Sequence, residues 1–286
     1  MSDRLDELSD ALAAKRDLLV ADLAELNSCL VAFSGGVDSA VAAKAAFLAL
    51  REKAIAVTAE SPSVAEGEID QARAAAKVIG IEPRVIRTAE ITNPDYRRNA
   101  PDRCYHCKSE LFTKLGDLAR EMNIAAVVAG ANQDDAGDYR PGLKAAAENL
   151  VRNPLMDHGI TKEEVRRLAL HWGLPVWDKP ATPCLSSRIA YGQEVTPDRL
   201  SRIDAAERFL RSREMSVVRV RFHEGDLARV EVPLDQMARF CEEPFRTDFV
   251  DLLKSLGFQF VTLDLQGFRS GSMNSNLPHA MLPILG

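Results

Sequence analysis

The sequence predicts an α/β protein whose main domain has a doubly wound, mostly parallel β-sheet, followed by a smaller C-terminal α+β domain. Two observations indicate this fold class. Short apolar runs alternate with helical patterns over the first part of the chain, which is the order typical of parallel strands joined by crossover helices. A proline-containing stretch then interrupts regular structure, and the pattern beyond it mixes helices with short strands. We therefore expect one domain over residues 1–175 and another over 176–286.

The strands of the first domain are predicted from short apolar runs bounded by helical patterns. They cover residues 29–33, 54–58, 84–86 and 125–129. Helices are expected near 38–51, 64–79, 106–122 and 161–172, and leucines at three-, four- and seven-residue spacings predict a leading helix over 3–26. Because strands separated by helices run parallel, helices should cover both faces of this sheet.

The link between the domains is predicted at Pro175, Pro180 and Pro183, because proline removes a backbone donor and breaks helices. The C-terminal domain follows as a helix over 197–213, strands over 216–222, 227–232 and 258–264, and helical residues over 234–256. The Cys184 segment lies in this link.

The composition and charge of the chain argue against several classes of protein. The chain has 286 residues, a net charge of −6 and a pI of about 5.5, which gives no general attraction to a polyanion. No apolar run reaches the roughly 18 residues of a membrane span. The charged N-terminus lacks the order of a signal peptide, so we expect a cytoplasmic protein. Five cysteines, an odd number, argue against a disulfide framework.

A glycine-containing loop after the first strand predicts a phosphate or pyrophosphate site. The loop consists of Ser34, Gly35, Gly36, Val37, Asp38 and Ser39. Its glycines allow close backbone approach, and the following helix directs free amides at the ligand. The serines add hydroxyl donors, and Asp38 could hold Mg²⁺ bridging phosphate oxygens. Neither the Walker ending nor Gly-x-Gly-x-x-Gly is present, which disfavours kinases and dinucleotide binding.

This loop resembles the PP-loop of the N-type ATP pyrophosphatases, which include GMP synthetase, NAD synthetase and tRNA thiolation enzymes. The resemblance implies that ATP is cleaved between its α- and β-phosphates, giving an adenylated intermediate and pyrophosphate. A loop that binds the leaving pyrophosphate stabilises charge where it develops in the transition state. Thr58, in the second strand, and Gly130, after the fourth, are further candidates for nucleotide binding, since doubly wound sheets bind ligands at this edge.

Three cysteines are candidates for a redox pair or for metal ligands. Cys104 and Cys107 form a CxxC at the start of a predicted helix, and Cys184 lies in the interdomain link. Three thiolates suit a [4Fe–4S] cluster with one open iron, whereas zinc with His106 as a further ligand is the rival. Simple thiols are the remaining alternative. Cys29 and Cys241 are expected to be packing residues.

Several segments together resemble the LarE family of pyridinium-3,5-biscarboxylic acid mononucleotide sulfurtransferases. They are the loop at 34–39, Arg-Cys-Tyr-His-Cys-Lys at 103–108, the Gly-Ala-Asn-Gln-Asp-Asp segment that opens 130–142, Pro-Cys-Leu-Ser-Ser-Arg at 183–188, and Gly-Phe-Arg-Ser-Gly-Ser-Met-Asn at 267–274. The resemblance spans about residues 10–275. It implies adenylation of a substrate carboxylate, displacement of AMP by sulfur, and formation of a thiocarboxylate in nickel-pincer nucleotide cofactor synthesis for lactate racemase.

The resemblance also implies roles for the cysteines. In one LarE subgroup, the cysteine that matches Cys184 forms a thioester and gives up its sulfur, becoming dehydroalanine. In a second subgroup, cysteines at the positions of Cys104, Cys107 and Cys184 hold a [4Fe–4S] cluster that carries an extra sulfide. This chain has all three cysteines. We therefore expect ATP, Mg²⁺ and a [4Fe–4S] cluster as cofactors, sulfide or another sulfur donor, and a homo-oligomer such as a hexamer.

Arginines are the candidates for binding the phosphate of the mononucleotide substrate. Arg219 and Arg221 alternate along a predicted strand and should project from one face, which is either a solvated surface or a phosphate clamp. Arg188 could serve the same substrate. The carboxylates Glu207, Glu231 and Asp264 are expected on the surface, with a metal or substrate role as the alternative. The 130–142 loop adds the polar side chains Asn132, Asp134, Asp135, Asp138 and Arg140.

Two other enzyme classes use such a loop. A tRNA thiolation enzyme would also have to bind a polyanion, which the acidic charge disfavours. An amidating ligase would have no use for three thiols. A non-enzymatic nucleotide-binding or metal-storage module would not need an adenylation loop.

Overall fold

The computed structural model describes residues 7–137, 141–215 and 217–269. Its first sheet has four parallel strands in the order β3-β2-β1-β4. These strands are β1 (Cys29–Ala32), β2 (Ala54–Glu60), β3 (Glu82–Arg87) and β4 (Ala126–Val128). The chain moves outward from β1 to β3 and then crosses back to place β4 on the other side of β1. The predicted doubly wound parallel sheet is therefore confirmed.

Helices cover both faces of this sheet. They are α1 (Asp10–Ala24), α2 (Val37–Leu50), α3 (Glu68–Ile79), α4 (Pro94–Arg97), α5 (Arg103–Glu121), α6 (Pro141–Glu148), α7 (Pro154–Asp157) and α8 (Lys162–His171). Successive side chains of β1 point to opposite faces. Cys29 and Val31 pack in the core with α1, α2 and α8, whereas Leu30 packs in the core with α5 and α6.

Local sequence explains where these helices begin and end. Ser9 caps α1 by accepting a hydrogen bond from the Leu12 amide, and Thr161 and Glu164 form a capping box at the start of α8. Gly80 ends α3 with a positive φ of 89°. The predicted first helix is thus shorter than expected within the described residues, and residues 1–6 lie outside them.

A second, smaller sheet has the order β5-β6-β7. Its strands are β5 (Arg219–His223), β6 (Leu227–Glu231) and β7 (Phe260–Leu263), and it is packed by α9 (Pro197–Ser212) and α10 (Phe245–Ser255). β5 and β6 are antiparallel, and β7 runs parallel to β6. The core under this sheet also contains Tyr96 of α4. The predicted boundary between residues 175 and 176 stays a prediction.

The C-terminal part agrees with one expectation and contradicts another. The helical residues expected over 234–256 form a 3₁₀ helix (Leu234–Cys241) and α10, which are separated by a turn that contains Pro244. Cys241 is exposed rather than packed, whereas Cys29 is buried as expected. Three short helices, α4, α6 and α7, have too few turns to give a helical period in the sequence. In the described part of the chain, no helix has the length and apolar character needed to cross a membrane.

Candidate active site

The candidate site begins where the strand order reverses. β2 and β3 lie on one side of β1 and β4 lies on the other, so the carboxyl ends of β1 and β4 flank a crevice. Ligands of open α/β sheets bind at this position. Ser34 follows β1 by two residues, and Gly130 follows β4 by two residues. The sheet therefore brings the predicted phosphate loop and the 130–142 loop together.

The loop over residues 34–39 is held by its own serines. Ser39 Oγ accepts a hydrogen bond from the Ser34 amide at 3.2 Å and donates to the Gly36 carbonyl at 3.0 Å. The Ser34 and Ser39 hydroxyls lie 3.2 Å apart. Gly36 caps α2 without a side-chain hydrogen bond, which leaves amides of the first turn free for an anion. Gly35 has φ 70°, and a Cβ there would lie 3.0 Å from Ala72 Cα.

Asp38 has two partners that the sequence did not predict. Its Oδ1 accepts a hydrogen bond from Asn132 Nδ2 at 3.0 Å, and its Oδ2 lies 2.5 Å from Lys162 Nζ. Asn132 is buried, and Lys162 is the first residue of α8. The carboxylate expected to hold Mg²⁺ is therefore oriented by an amide and paired with an ammonium group.

The 130–142 loop is bound to α2 and α8. A Cβ on Gly130 would lie 2.8 Å from the backbone of Asp38 and Ser39, so only glycine fits against the start of α2. Asp134 Oδ2 accepts from the Lys162 amide at 2.9 Å. The Asp135 carboxylate accepts from the Asn132 amide. The predicted polar residues Asp138 and Arg140 lie outside the described residues.

Thr58 lies near the carboxyl end of β2 and is buried, paired in register with Val85 of β3. Its predicted nucleotide contact stays a prediction. Ser63, which follows β2, is also buried and has a direct link to the cysteine segment. The Ser63 carbonyl accepts a hydrogen bond from the Leu185 amide at 2.9 Å. Leu185 is adjacent to Cys184, so the third cysteine lies at the same edge of the sheet as the phosphate loop.

The three predicted cysteines come from two elements that contact each other. Cys104 and Cys107 lie in the first two turns of α5, and Cys184 precedes a 3₁₀ helix (Leu185–Arg188). Cys104 and Cys184 are exposed, and Cys107 is half-buried. Burial raises the pKa of Cys107 to about 12, and the negative charge of Cys184 adds to this rise, as do Glu90 and Cys104 more weakly. The three sulfur groups therefore lie close enough to interact electrostatically.

A buried hydrogen-bonded chain fixes the Cys184 segment. The Tyr96 hydroxyl lies 2.6 Å from Ser186 Oγ and donates to Ser63 Oγ at 3.2 Å. Ser63 Oγ in turn donates to Glu90 Oε1 at 2.8 Å. The Arg103 guanidinium donates to the Ser186 carbonyl at 2.7 Å from the other side. Tyr96, Ser63 and Glu90 had no signal in the sequence, whereas Ser186 and Arg103 were visible as neighbours of the cysteines.

The predicted metal-ligand group is not assembled among the described residues. Within the described ranges, no group of three or more histidine, cysteine, aspartate or glutamate side chains is arranged to hold a metal ion. His106 lies on α5 beside the cysteines, with Nε2 3.5 Å from Asp102 Oδ2. Cys104, Cys107 and Cys184 supply the thiol donors typical of an iron–sulfur cluster, and the cluster stays a prediction.

Arg188 and Glu207 form a buried ion pair beneath the Cys184 segment. Arg188 Nε lies 2.9 Å from Glu207 Oε1, and the two side chains are 1% and 0% exposed. Arg188 Nη1 also donates to the Cys184 carbonyl at 3.2 Å. Glu207 accepts further hydrogen bonds from the Val220 amide and from Arg211. The expectation that Glu207 lies on the surface is therefore wrong. Arg188 contacts the backbone of the Cys184 segment.

The paired arginines of β5 are not on a solvated face. Arg221 is buried, lies 2.8 Å from Glu231 Oε2 and donates to the Ser187 carbonyl. Arg219 is half-buried and donates to the Ala181 carbonyl at 3.3 Å. Burial lowers the pKa of Arg219 to about 10, and the nearby positive charge of Arg188 and Arg221 contributes. Both arginines therefore contact the segment that carries Cys184.

The remaining predicted carboxylates are partners of arginine. Glu231 is fully buried, contrary to expectation, because Arg221 and Arg229 neutralise it. Asp264 pairs with Arg229, and its pKa is lowered overall: burial raises it, but the hydrogen bonds from the Gln266 amide and from Arg229 outweigh that effect. The alternation of Arg219 and Arg221 in β5 was visible in the sequence, but their pairing with β6 was not.

Sequence comparison finds relatives of this chain among known proteins. The family described as NAD synthase matches residues 18–103. An uncharacterized protein of Synechocystis sp. is 44% identical over 263 residues, which cover 92% of this chain and 98% of that relative. A pyridinium-3,5-bisthiocarboxylic acid mononucleotide synthase of Lactiplantibacillus plantarum is 40% identical over 272 residues, covering 95% of this chain and 98% of that relative. A tRNA-specific 2-thiouridylase of Rickettsia felis is 30% identical, covering 54% of this chain and 52% of that relative.

Proposed function

Because this chain belongs to the LarE family of PP-loop, ATP-using enzymes, we propose that it is a sulfurtransferase acting on pyridinium-3,5-biscarboxylic acid mononucleotide. It converts the substrate carboxylates into thiocarboxylates for the nickel-pincer nucleotide cofactor. The observation that carries this proposal is that the phosphate loop and the Cys184 segment lie at one edge of the sheet, where the Leu185 amide bonds to the Ser63 carbonyl. Activation by ATP and transfer of sulfur can therefore occur in one site.

The phosphate loop performs the activation step. The uncapped first turn of α2 and the hydroxyls of Ser34 and Ser39 bind the β- and γ-phosphates, and Asp38 holds Mg²⁺. A substrate carboxylate oxygen attacks the α-phosphorus of ATP, and pyrophosphate leaves. The new acyl adenylate is an electrophile because AMP is a good leaving group. Stabilising the charge that develops on pyrophosphate accelerates this step.

The arginine-rich side of the small sheet binds the substrate's phosphate. Around the Cys184 segment, arginines outnumber carboxylates, since Arg188, Arg211, Arg219, Arg221 and Arg229 surround Glu207, Glu231 and Asp264. Among the described residues, Arg219 forms no ion pair, and its guanidinium donates hydrogen bonds only to the Val218 and Ala181 carbonyls. A half-buried guanidinium beside a surplus of positive charge favours an anion such as a phosphate monoester.

Sulfur transfer completes the reaction. A sulfur nucleophile attacks the acyl carbon, the carbon–oxygen bond to AMP breaks, and a thiocarboxylate remains on the substrate. We infer that Cys104, Cys107 and Cys184 would hold a [4Fe–4S] cluster, because thiolates are the usual ligands of such clusters and Cys104 and Cys184 are exposed for loading. When bound, such a cluster supplies a sulfur nucleophile that can be replaced from solution.

Cys184 itself is the alternative sulfur donor, and its exposure favours this second candidate. In that route, the Cys184 thiolate attacks the acyl adenylate, AMP leaves, and a thioester forms. Loss of the Cys184 α-proton then breaks the bond between Cβ and sulfur, which leaves dehydroalanine in the chain and the thiocarboxylate on the substrate. Each chain would then transfer one sulfur atom only.

The test measures pyrophosphate release and counts the thiocarboxylates formed per chain. Wild-type protein, reconstituted anaerobically with iron and sulfide, is expected to release pyrophosphate with the biscarboxylated mononucleotide and to form more than one thiocarboxylate per chain. Cys104→Ala and Cys107→Ala should still release pyrophosphate but form no thiocarboxylate. Full sulfur transfer by these variants, with Cys184 losing the mass of hydrogen sulfide, would establish Cys184 as the donor.

A parallel assay with tRNA tests the related chemistry of the thiouridylase relative. The net charge of −6 leads us to expect no pyrophosphate release with tRNA. Release with tRNA and none with the mononucleotide would overturn the proposed substrate. The expected cytoplasmic location and homo-oligomeric state stay predictions, and gel filtration with light scattering measures the latter.

A further inference from the structure

Lys162 and a divalent cation would compete for one carboxylate of the phosphate loop. Lys162 Nζ lies 2.5 Å from Asp38 Oδ2, and Asn132 Nδ2 donates to Asp38 Oδ1 at 3.0 Å. The carboxylate charge is thus already offset by an ammonium group. A metal ion bound to the same carboxylate would lie close to that ammonium group, and two positive charges at short distance repel each other. Lys162 therefore opposes metal binding at Asp38.

Of the two partners of Asp38, Lys162 is the one whose side chain is able to move. Asn132 is buried, its Oδ1 accepts from the Asp134 amide at 3.0 Å, and its own amide donates to Asp135 Oδ2 at 3.1 Å. The Lys162 side chain is 36% exposed and has a flexible four-carbon stem. Its backbone is fixed, because the Lys162 amide donates to Asp134 Oδ2 at 2.9 Å. The ammonium group can therefore leave Asp38 while α8 stays in place.

An anion site lies beside the carboxylate that Lys162 contacts. Asp38 is the second residue of α2, and the first turn of this helix has no side-chain cap. Phosphates bound by these free amides would bring further negative charge to the Asp38 side chain. Mg²⁺ is usually bound by one or two carboxylates together with the phosphates of a substrate, so Asp38 suffices as its protein ligand. A lysine ammonium group is also a suitable partner for phosphate.

We propose that Lys162 is an exchangeable cation of the nucleotide site. It neutralises Asp38 and opposes the binding of a free divalent cation, and it transfers to the phosphates when Mg²⁺ arrives with ATP. The same side chain should therefore weaken the binding of metal alone and strengthen the binding of nucleotide. This inference rests on the use of ATP and Mg²⁺ in the proposed function, and it does not depend on the sulfur chemistry.

The experiment measures metal binding in the absence of nucleotide. Mn²⁺ is the probe, because it prefers the same oxygen ligands as Mg²⁺ and its electron paramagnetic resonance signal falls when the ion binds to protein. Lys162→Met removes the charge, and Lys162→Arg keeps it. A double variant combines Lys162→Met with Asp38→Asn. Lys144→Met is the matched control, because Lys144 is exposed on α6 and, in the part of the chain that the structure describes, forms an ion pair only with Glu148.

Lys162→Met is expected to bind Mn²⁺ roughly three- to tenfold more tightly than wild type, because a competing charge has left a partly exposed carboxylate. The double variant should lose this gain, which would assign the gained site to Asp38. Lys162→Arg and Lys144→Met should bind Mn²⁺ within about twofold of wild type, since neither changes the charge beside Asp38. A variant that was merely damaged would not gain metal affinity.

Nucleotide binding should change in the opposite direction. The probe is the α,β-methylene analogue of ATP, which cannot be cleaved between its α- and β-phosphates, and calorimetry in the presence of Mg²⁺ measures its affinity. Lys162→Met should bind this analogue roughly ten- to a hundredfold more weakly than wild type, because a charge-assisted contact to phosphate is lost. Lys144→Met should bind it like wild type.

Three results would overturn the proposal. The first is Mn²⁺ binding by Lys162→Met that is no tighter than that of wild type when both proteins melt alike. The second is a gain that persists in the double variant, since the metal would then bind away from Asp38. The third is unchanged affinity of Lys162→Met for the analogue, because Lys162 would then oppose the metal without transferring to phosphate.

Failure of the proposed function gives a different result. If wild type does not bind the analogue at all, the ATP step of the proposed function is wrong, and so is the transfer of Lys162 to phosphate. The Mn²⁺ titrations would still decide whether Lys162 opposes metal binding at Asp38. If the analogue binds and no thiocarboxylate forms, only the sulfur chemistry of the proposed function is wrong.

Discussion

Lys162 Nζ lies 2.5 Å from Asp38 Oδ2, although the two residues are 124 positions apart in the sequence. The ammonium group occupies one side of the carboxylate expected to hold Mg²⁺, and Asn132 occupies the other. Both Asp38 and Lys162 are partly exposed at the mouth of the crevice. If Asp38 binds Mg²⁺, the metal ion would displace the Lys162 ammonium group from the carboxylate. Lys162 would then lie next to the ATP phosphates.

Removal of the Asp38 carboxylate should stop activation while leaving substrate binding intact. Asp38→Ala and Ser34→Ala are expected to lower pyrophosphate release by about a hundredfold or more, because both groups act on ATP phosphates and Mg²⁺. Mononucleotide binding, measured by calorimetry, should be unchanged. Asp70→Ala is the control, because Asp70 is exposed on α3 and, among the residues that the structure describes, pairs only with Arg73. Wild-type pyrophosphate release by Asp38→Ala would exclude the loop from the reaction.

Lys162 is expected to contribute to ATP binding. Lys162→Met should weaken ATP binding roughly ten- to a hundredfold, because a charge-assisted contact to phosphate is lost. Binding of the mononucleotide without ATP should not change. Lys144→Met serves as the control, since Lys144 is exposed on α6 and pairs with Glu148. ATP affinity equal to wild type in Lys162→Met would mean that Lys162 only orients Asp38.

The two arginines of β5 should behave differently from each other. Arg219→Ala is expected to weaken mononucleotide binding roughly ten- to a hundredfold with little effect on ATP binding. Arg221→Ala should instead destabilise the fold, because it leaves Glu231 without one of its buried partners. Ligand titration and chemical denaturation of both variants measure these effects. Equal weakening of ATP and mononucleotide binding in Arg219→Ala would contradict a phosphate site there.

The buried pair of Arg188 and Glu207 should be important for stability. Glu207→Ala leaves the Arg188 guanidinium buried without its carboxylate, which typically costs about 3–5 kcal/mol. The free energy of unfolding in urea measures this cost. Glu224→Ala provides the comparison, because Glu224 is exposed in the turn between β5 and β6. A loss below about 1 kcal/mol for Glu207→Ala would mean that water reaches Arg188.

His223 should make stability depend on pH. Burial lowers its pKa in the folded state below the ordinary value of 6.5, and the positive charge of Arg229 and Arg221 adds to this, opposed by Glu231. Because the unfolded chain then binds a proton more readily, the free energy of unfolding should fall as pH drops below about 6.5. His223→Gln should flatten this part of the pH profile, measured by urea denaturation. An unchanged profile would assign the dependence to other groups.

Much of the fold follows from local patterns. Short apolar runs and intervening helices predicted β1, β2 and β4, because a strand buried on both faces is apolar throughout. The edge strand β3 is mostly exposed, and only its centre was predicted, over 84–86. The loop at 34–39 was recognisable because the glycines and serines that bind phosphate are consecutive in the chain. By contrast, α4, α6 and α7 were not predicted, since one or two turns give no measurable period. The 3₁₀ helix and α10 were both predicted as helical residues, because both have apolar residues at helical spacing.

The sequence by itself determined the doubly wound class, the phosphate loop and the three cysteines, because each depends on residues that are neighbours or on a regular period. Only the tertiary structure decided that Lys162 pairs with Asp38, that Arg103 bonds to the Ser186 carbonyl, and that Glu207 and Glu231 are buried. An isolated glutamate in a sequence is expected at the surface, since burying its charge is unfavourable. A glutamate becomes buried when it forms ion pairs with arginines that are distant in the sequence. Those ion pairs depend on how the sheets and helices pack.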